Sequence, residues 1–374
     1  MRALFLSSGA AWEGGVRIFS SVARGLAERG HDTWLAAPAG SEAATQAVQR
    51  GVKVIALAVG AGAWSTARRL RKELPRDFVD AVFVHDAREQ LAATIAVRRA
   101  GRGGIVRRIA AGEQLASTWR GRRTEQVVPV RYLYTSESPP TGHAAPSGSL
   151  SPMRAELGVE LGAVTTHDAQ NGAAGDATHQ GANVPLAPVL VCIATRASLR
   201  RATNVVRAAA LLAQRHAGLR LRILGSVAAD EELKLLAAAL GIAKRVEWVG
   251  HTRDLGTALG GAAAGWVIAD GDDAALGALH LMAHGVAVLA ERTSVAARYV
   301  NHGIQGTLMA ALDPPLMAAE TAILLSDRVR RIAMGAAGRA RVEREFPYRD
   351  MLSAFEMALR ATRDRAGDRA PARA

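Results

Sequence analysis

Apolar positions along the chain switch repeatedly between a strand-like and a helix-like period, and their order predicts the architecture. Residues 3–7 (ALFLS) form a short unbroken apolar run suited to a buried strand, followed by a loop holding Gly9, Gly14 and Gly15. In residues 16–29, Ile18, Val22, Leu26 and the small Ala23 recur on one helical stripe, and Gly30 stops the helix. Further strands are predicted at 33–37, 53–57, 81–84 and 104–108, with helices at about 43–50, 65–74 and 88–100 between them. Strands that alternate with helices over short connections make a doubly wound, mostly parallel sheet.

The rhythm breaks after Pro139. The strings PPTGHAAPSGSLSP and QNGAAGDATHQGANVP are rich in Gly, Pro, Ser and Asn, so 139–188 reads as an irregular loop and linker. Alternation restarts with strands at 189–194, 219–224, 246–249, 265–268 and 286–290, and helices at about 204–217, 229–240, 255–260 and 277–283. The chain therefore divides into a lobe at 1–138, the linker, and a second lobe at 189–346, with an interlobe cleft. From Pro347 an amphipathic helix through Leu352, Phe355 and Leu359 packs back on the first lobe, and the tail from Arg360 reads as solvated and frayed.

Composition sharpens this picture. Of the 374 residues 49% are hydrophobic but only 4% aromatic, which suits helices on parallel strands better than a β-sandwich. The formal charge of +13 is carried almost wholly by arginine, because the lysines are only Lys53, Lys72, Lys234 and Lys244. Such a chain favours acidic partners, namely nucleotide phosphates or anionic lipid. Specific nucleic-acid binding is disfavoured, since no recognition motif or stacking-aromatic pattern accompanies the charge. The single cysteine, Cys192, excludes an intramolecular disulfide and a cysteine zinc site, and its place in VLVCIA predicts a buried strand position. No apolar run approaches the ~18 residues of a membrane span. The expected location is cytoplasmic, with peripheral contact to the inner face of the plasma membrane open to the basic helix WSTARRLRKELPR, its Trp64, and the arginine-rich run 98–131.

Three constellations carry candidate chemistry. Gly14 and Gly15 immediately precede a helix, where backbone N–H groups can receive an anion; the alternative is a tight turn without a ligand. GxGxxG is absent, which disfavours a dinucleotide. Arg196 and Arg201 in TRASLRR follow the first strand of the second lobe, where they can neutralise a diphosphate; Arg200 competes with Arg201, and solvated surface arginines are the alternative. Asp270, Asp272 and Asp273 crowd the strand end after 265–268, with His280 on the following helix. They suit hydroxyl binding, or else helix capping and packing, better than a metal.

These strings resemble glycosyltransferase family 4, retaining enzymes of the GT-B fold. The family's opening strand, Gly-Gly loop and helix ending in RGH plus an acid is matched by GGVRIFSSVARGLAERGHD. Arg196 and Arg201 stand where the family places an Arg and, five residues later, a Lys on donor phosphates. RILGSVAADEELKLLAAALGIAKRVEWVGH is similar to its strand–helix–strand before the donor pocket. Asp272, seven residues, His280 and LMAHGVAV stand where the signature has Glu, seven residues, Glu and Ala-Met-Ala-x-Gly-x-Pro-Val. Both glutamates are thus replaced, and Ala287 replaces the proline. The resemblance implies a nucleotide diphosphate sugar donor held by Gly14, Gly15, Arg196, Arg201, Asp272 and His280, and no metal or other cofactor. The acceptor it implies is a lipid-linked sugar, a polysaccharide or a small molecule. His85, at a strand end in VHDAR, is the acceptor-side candidate and with Asp272 completes the catalytic pair; His31 belongs to the RGHD turn and is structural. The replaced glutamates keep two rivals open: a GT-B pseudoenzyme, and a sugar-nucleotide epimerase on the same fold.

Overall fold

The computed structural model describes residues 1–73, 79–113, 127–135, 150–161, 187–252 and 254–367. They divide into two compact units, Met1–Glu156 with Arg349–Ala374, and Leu157–Tyr348.

In the first unit, strands β1 (Arg2–Leu6), β2 (Asp32–Pro38), β3 (Val54–Leu57), β4 (Ala81–Val84), β5 (Gly104–Arg108), β6 (Val130–Tyr134) and β7 (Leu150–Arg154) form one sheet. Its order is β3-β2-β1-β4-β5-β6-β7. Every pairing is parallel. Helices α1 (Gly15–Glu28), α2 (Glu42–Gln49), α3 (Ala63–Glu73) and α4 (Ala87–Ala100) are its crossovers. All four residues of β4 are buried, as a strand covered on both faces requires.

The last helix, α11 (Tyr348–Gly367), belongs to this unit from Arg349 onward. Phe355 packs on Phe83 of β4 with ring centroids 5.6 Å apart, Phe83 stacks on Phe5 of β1 at 4.7 Å, and Phe5 meets Phe19 of α1 at 5.2 Å. Four of the six phenylalanines therefore form one cluster through this unit. A polar clamp seals its rim: Glu356 accepts from Arg360 at 2.6 Å and Arg29 at 2.9 Å, and His31 Nε2 lies 3.2 Å away. His31, the RGHD histidine, has a structural partner here.

In the second unit, β8 (Val189–Ile193), β9 (Arg220–Leu224), β10 (Val246–Gly250), β11 (Ala262–Val267), β12 (Ala287–Glu291) and β13 (Gly306–Met309) form a sheet of order β10-β9-β8-β11-β12-β13. Its pairings are also parallel. The crossovers are α5 (Leu199–Arg215), α6 (Glu231–Ala239), α7 (Leu255–Leu259) and α8 (Gly271–Ala283); α9 (Pro314–Ser326) and α10 (Arg328–Glu345) follow β13. Cys192 is fully buried in this core beside Leu190, Ile223 and Trp266. Trp266 on β11 donates its indole N–H to Thr321 on α9 at 3.1 Å. A Cβ at Gly335 of α10 would lie 2.0 Å from the Gly285 carbonyl oxygen, so α10 depends on glycine to approach the turn after α8.

Several elements depart from the sequence expectations. Within the segment expected to be irregular, Leu150–Arg154 is a strand: it pairs only with β6, its middle is exposed, and Pro152 is tolerated because an edge strand leaves N–H groups unpaired. Helix α8 begins at Gly271, six residues before the expected start at 277. Helix α5 likewise starts earlier, at Leu199. The tail expected to be solvated from Arg360 continues as helix to Gly367, with Thr362 buried against Gly104. The basic stretch 114–126, the linker residues 139–149 and 162–186, and the tail beyond 367 lie outside the described residues.

The clamp at Glu356 predicts a pH-dependent penalty. Hydrogen bonds from Arg360, then Arg29 and His31, lower its carboxyl pKa to about 2. The stabilisation is complete above the ordinary carboxylate range and is lost as pH falls towards about 2. Glu356→Gln is expected to cost about 1.5–3 kcal/mol at neutral pH. In urea titrations its difference from the parent protein shrinks as the pH is lowered below about 4. A difference unchanged at low pH would refute the clamp.

Candidate functional site

Each sheet reverses its strand order beside its first strand, between β1 and β4 in one unit and between β8 and β11 in the other. Crossovers leave in opposite directions at such a point, so a crevice opens beyond the carboxyl ends of the strands. The predicted site residues are therefore placed relative to two half-sites, each within one unit.

In the first unit, the loop after β1 runs into α1. Gly14 is the N-cap, at φ 53° in the left-handed region that favours glycine, and no side chain caps the helix. No acidic residue occupies the first turn of α1 either. Opposite, β4 ends at Val84 and leads into His85, whose ring lies flat on Phe19 with centroids 3.6 Å apart. A Cβ on Gly15 would fall 2.1 Å from His85 Cε1. Gly14, Gly15 and His85 are thus brought together at one strand end.

The same strand end contains a residue that the motif search passed over. Glu89, buried in the first turn of α4, accepts the Ser8 N–H at 2.6 Å, the Ser8 hydroxyl at 3.0 Å and the His85 N–H at 2.8 Å. Its own N–H is capped by Asp86 at 2.7 Å. Burial, reinforced by the Asp86 charge, raises its pKa to about 7, against the pull of these donors. An acid three residues after a capping aspartate was the available signal.

In the second unit, the turn after β8 is fixed from within: Ser198 donates to the Thr195 carbonyl at 2.8 Å and accepts the Thr195 N–H at 2.9 Å. Gly225, at φ 100°, lets the end of β9 press against β8, since a Cβ there would lie 2.0 Å from the Ala194 carbonyl oxygen. Ser226 accepts the Arg196 N–H at 2.8 Å, which pins the backbone of Arg196 while its side chain stays exposed. Arg201, rather than the exposed Arg200, reaches across to the end of β11 and pairs with Asp270. Asp270 is the N-cap residue of α8, and Asp272 and Asp273 lie buried in its first turn, where the positive end of the helix favours carboxylates. His280 is not brought to this strand end. It sits in the last turn of the same helix, eight residues from Asp272, a rise of about 12 Å.

Residues 180–341 match the family model described as Glycosyl transferases group 1. The match lies within the second unit and covers less than half of the chain. That match includes Arg196, Arg201, Asp272 and His280. By sequence, none of the curated proteins matches the chain. By structure, the chain is similar to Anabaena HepE in complex with UDP-glucose, at TM-score 0.69 and 15% identity, over 96% of this chain and 100% of that one. A glycosyltransferase from Rickettsia africae gives TM-score 0.68 and 13% identity over 96% and 98%. A putative UDP-N-acetylglucosamine 2-epimerase from Listeria monocytogenes gives 0.62 and 11% over 97% of each chain. The two parallel-sheet α/β domains thus have GT-B architecture, a fold shared by transferases and at least one epimerase-like protein.

The stacked imidazole supplies a test of the first half-site. Gly15 adopts an ordinary helical conformation, so alanine should otherwise favour the helix by about 1 kcal/mol. Against His85 the sign reverses, and Gly15→Ala is expected to destabilise by about 1–3 kcal/mol. The double variant Gly15→Ala/His85→Ala should recover part of that loss in thermal denaturation. No recovery would show that the ring does not set the constraint.

Proposed function

We propose that the chain is a retaining glycosyltransferase. It moves a hexose or related sugar from a nucleotide diphosphate donor to a lipid-linked sugar, polysaccharide or small-molecule acceptor, in cell-envelope, polysaccharide or glycolipid synthesis. The observation that carries this reading is the switch point of the glycosyl transferases group 1 domain, where the Arg201–Asp270 pair joins two strand ends beside Arg196. When the bond from the anomeric carbon to the diphosphate breaks, negative charge grows on the departing oxygens. Arg196, with its backbone fixed and its guanidinium exposed, meets that charge, and Arg201 does so from an orientation set by Asp270. No metal is needed in this scheme, because guanidinium groups supply the positive charge. Asp272 orients sugar hydroxyls and His280 serves the far end of the donor. In the first unit, His85 lies on the acceptor side and Gly14 and Gly15 offer backbone N–H groups to an anionic group of a ligand.

A second reading is favoured by one feature. Asp272, which is buried, and His280 stand where the family resemblance implies two glutamates. In that reading the protein binds a nucleotide without transferring sugar.

Thermal shift against UDP, GDP, ADP and their glucose conjugates separates the readings, with UDP-glucose first because the Anabaena neighbour is described in complex with it. A donor at 100 times its dissociation constant stabilises by about 2.7 kcal/mol. Arg196→Ala or Arg201→Ala is expected to weaken binding about tenfold. No shift with any nucleotide would sink the donor site, and binding without turnover over an acceptor panel would favour the second reading.

We further place the basic face of α3 and α4 against anionic lipid on the cytoplasmic side. Trp64 is exposed there beneath Arg99, 4.8 Å from its ring, among exposed Arg68, Arg71 and Lys72. No described helix is long and apolar enough to cross a membrane. Co-sedimentation with phosphatidylglycerol vesicles should be lost at high salt, and equal binding to neutral vesicles would refute the assignment.

A further inference from the structure

Glu89 is a buried acid that the proposed reaction leaves unused, and its surroundings are unusually specific. It is 4% exposed, and a carboxylate removed from water is costly unless its oxygens are bonded. Three donors converge on it: the Ser8 N–H and hydroxyl on one oxygen, and the His85 N–H on the other. These donors come from two different connections, the loop after β1 and the turn after β4, on either side of the sheet's reversal point. The next residue, Gln90, is also buried and accepts from Arg107 at the end of β5 at 3.1 Å. The first turn of α4 is thus bonded to the loop after β1, the turn after β4 and the end of β5.

An apolar residue could fill the same space, and an amide would offer a single acceptor oxygen to donors that arrive at two. A carboxyl group offers two oxygens to the three donors, although its burial opposes ionisation more than they favour it. We propose that the Glu89 carboxyl group is a positioning residue of the first half-site: through its two oxygens it holds Ser8 of the loop after β1 and the turn of His85 in one arrangement. The proposal rests on the reading of this half-site as the acceptor side. Its consequence for function is that the strand ends bearing Gly14, Gly15 and His85 keep a fixed relation to one another through Glu89.

The groups around it set the pH at which this joint weakens: an opened loop returns Glu89 to water and to the ordinary carboxylate range, so the joint loses stability as pH rises through about 7. Burial raises the Glu89 pKa to about 7, and the Asp86 carboxylate of the same turn adds to the rise. The Ser8 and His85 N–H groups and the Ser8 hydroxyl oppose it. The neighbouring cations have their own contacts: Arg107 reaches Gln90 and Glu113, and Arg88 donates to the Ala61 carbonyl at 3.1 Å.

Hydrogen exchange read by mass spectrometry on the whole chain tests this without an acceptor. After correction for the intrinsic rate, exchange of the peptide covering residues 7–14 is expected to be roughly tenfold faster at about pH 8 than at about pH 6. A peptide from α6 in the other unit should show no such change. Glu89→Gln should exchange fast at both pH values, and Glu89→Asp should restore part of the pH dependence. Exchange of residues 7–14 that is independent of pH in the unmodified protein would overturn the proposal, and that measurement stands even if the variants fail to fold. Protection of Glu89→Gln equal to the parent at about pH 6 would overturn it too. UDP binding measured on the same samples reads the donor assignment separately, so a failed donor site and a failed positioning role are distinguishable.

Discussion

The reversal of strand order beside β1 and beside β8 is the constraint on which both candidate sites depend. At such a point the backbone must diverge, and neither loop can be closed by pairing with the neighbouring strand. Something else has to hold the two strand ends in register. In the first unit it is contact without room to spare: His85 lies on Phe19 and over a glycine, while the Glu89 carboxylate joins the backbones of Ser8 and His85 from below. In the second unit it is an ion pair, Arg201 to Asp270, helped by the close approach at Gly225. One topology is thus secured by two different kinds of interaction.

The arginine excess has a different meaning in the folded chain from the one its total suggests. Many guanidinium groups end on helix carbonyls that have no partner inside their own helix. Arg222 donates to the carbonyls of Thr257, Ala258 and Gly260 at the end of α7, and Arg331 to those of Leu324 and Leu325 at the end of α9. Arg245 reaches the carbonyls of His216 and Ala217 after α5, and Arg339 reaches that of Ala283 at the end of α8. Arg131, buried in β6, is held by the carbonyls of Ser151 and Ala361. A planar group with five donors suits this work better than an ammonium would. These guanidinium groups are engaged as donors to the backbone, whereas the Arg196 side chain stays exposed and Arg201 pairs with Asp270.

What the sequence made legible follows the same physics. Strands covered on both faces, such as β4 and β11, are continuous apolar runs and are visible without context. The edge strand β7 is not, because one paired side leaves its middle exposed and admits Ser151 and Pro152. Strand β6 was hidden by Arg131, whose burial depends on carbonyls far away in the chain. Helix α9 is apolar over most of its length, so it lacks the stripe that marks an amphipathic helix, although Asp313 and the two following prolines mark its start. Among site residues, glycine pairs and arginines at strand ends stood out by type. Glu89 did not, because its importance comes from the Ser8 backbone 81 positions away.

The two helix ends at the reversal points also differ in what they can receive. Helix α1 begins without a capping side-chain hydrogen bond or an acid in its first turn, while Glu42 accepts the Trp12 N–H two residues before the cap at 3.4 Å. Helix α8 begins with Asp270 at its cap and Asp272 and Asp273 within its first turn. A diphosphate placed on that second helix end would meet like charge, whereas sugar hydroxyls would meet acceptors. The negative charge of a donor is therefore better served from the β8 side, by Arg196 and Arg201, with the acidic end of α8 left for the uncharged part of the ligand. Asp270 belongs to both halves of that division: its carboxylate orients Arg201 and, by doing so, loses much of the repulsion it would otherwise exert on a phosphate.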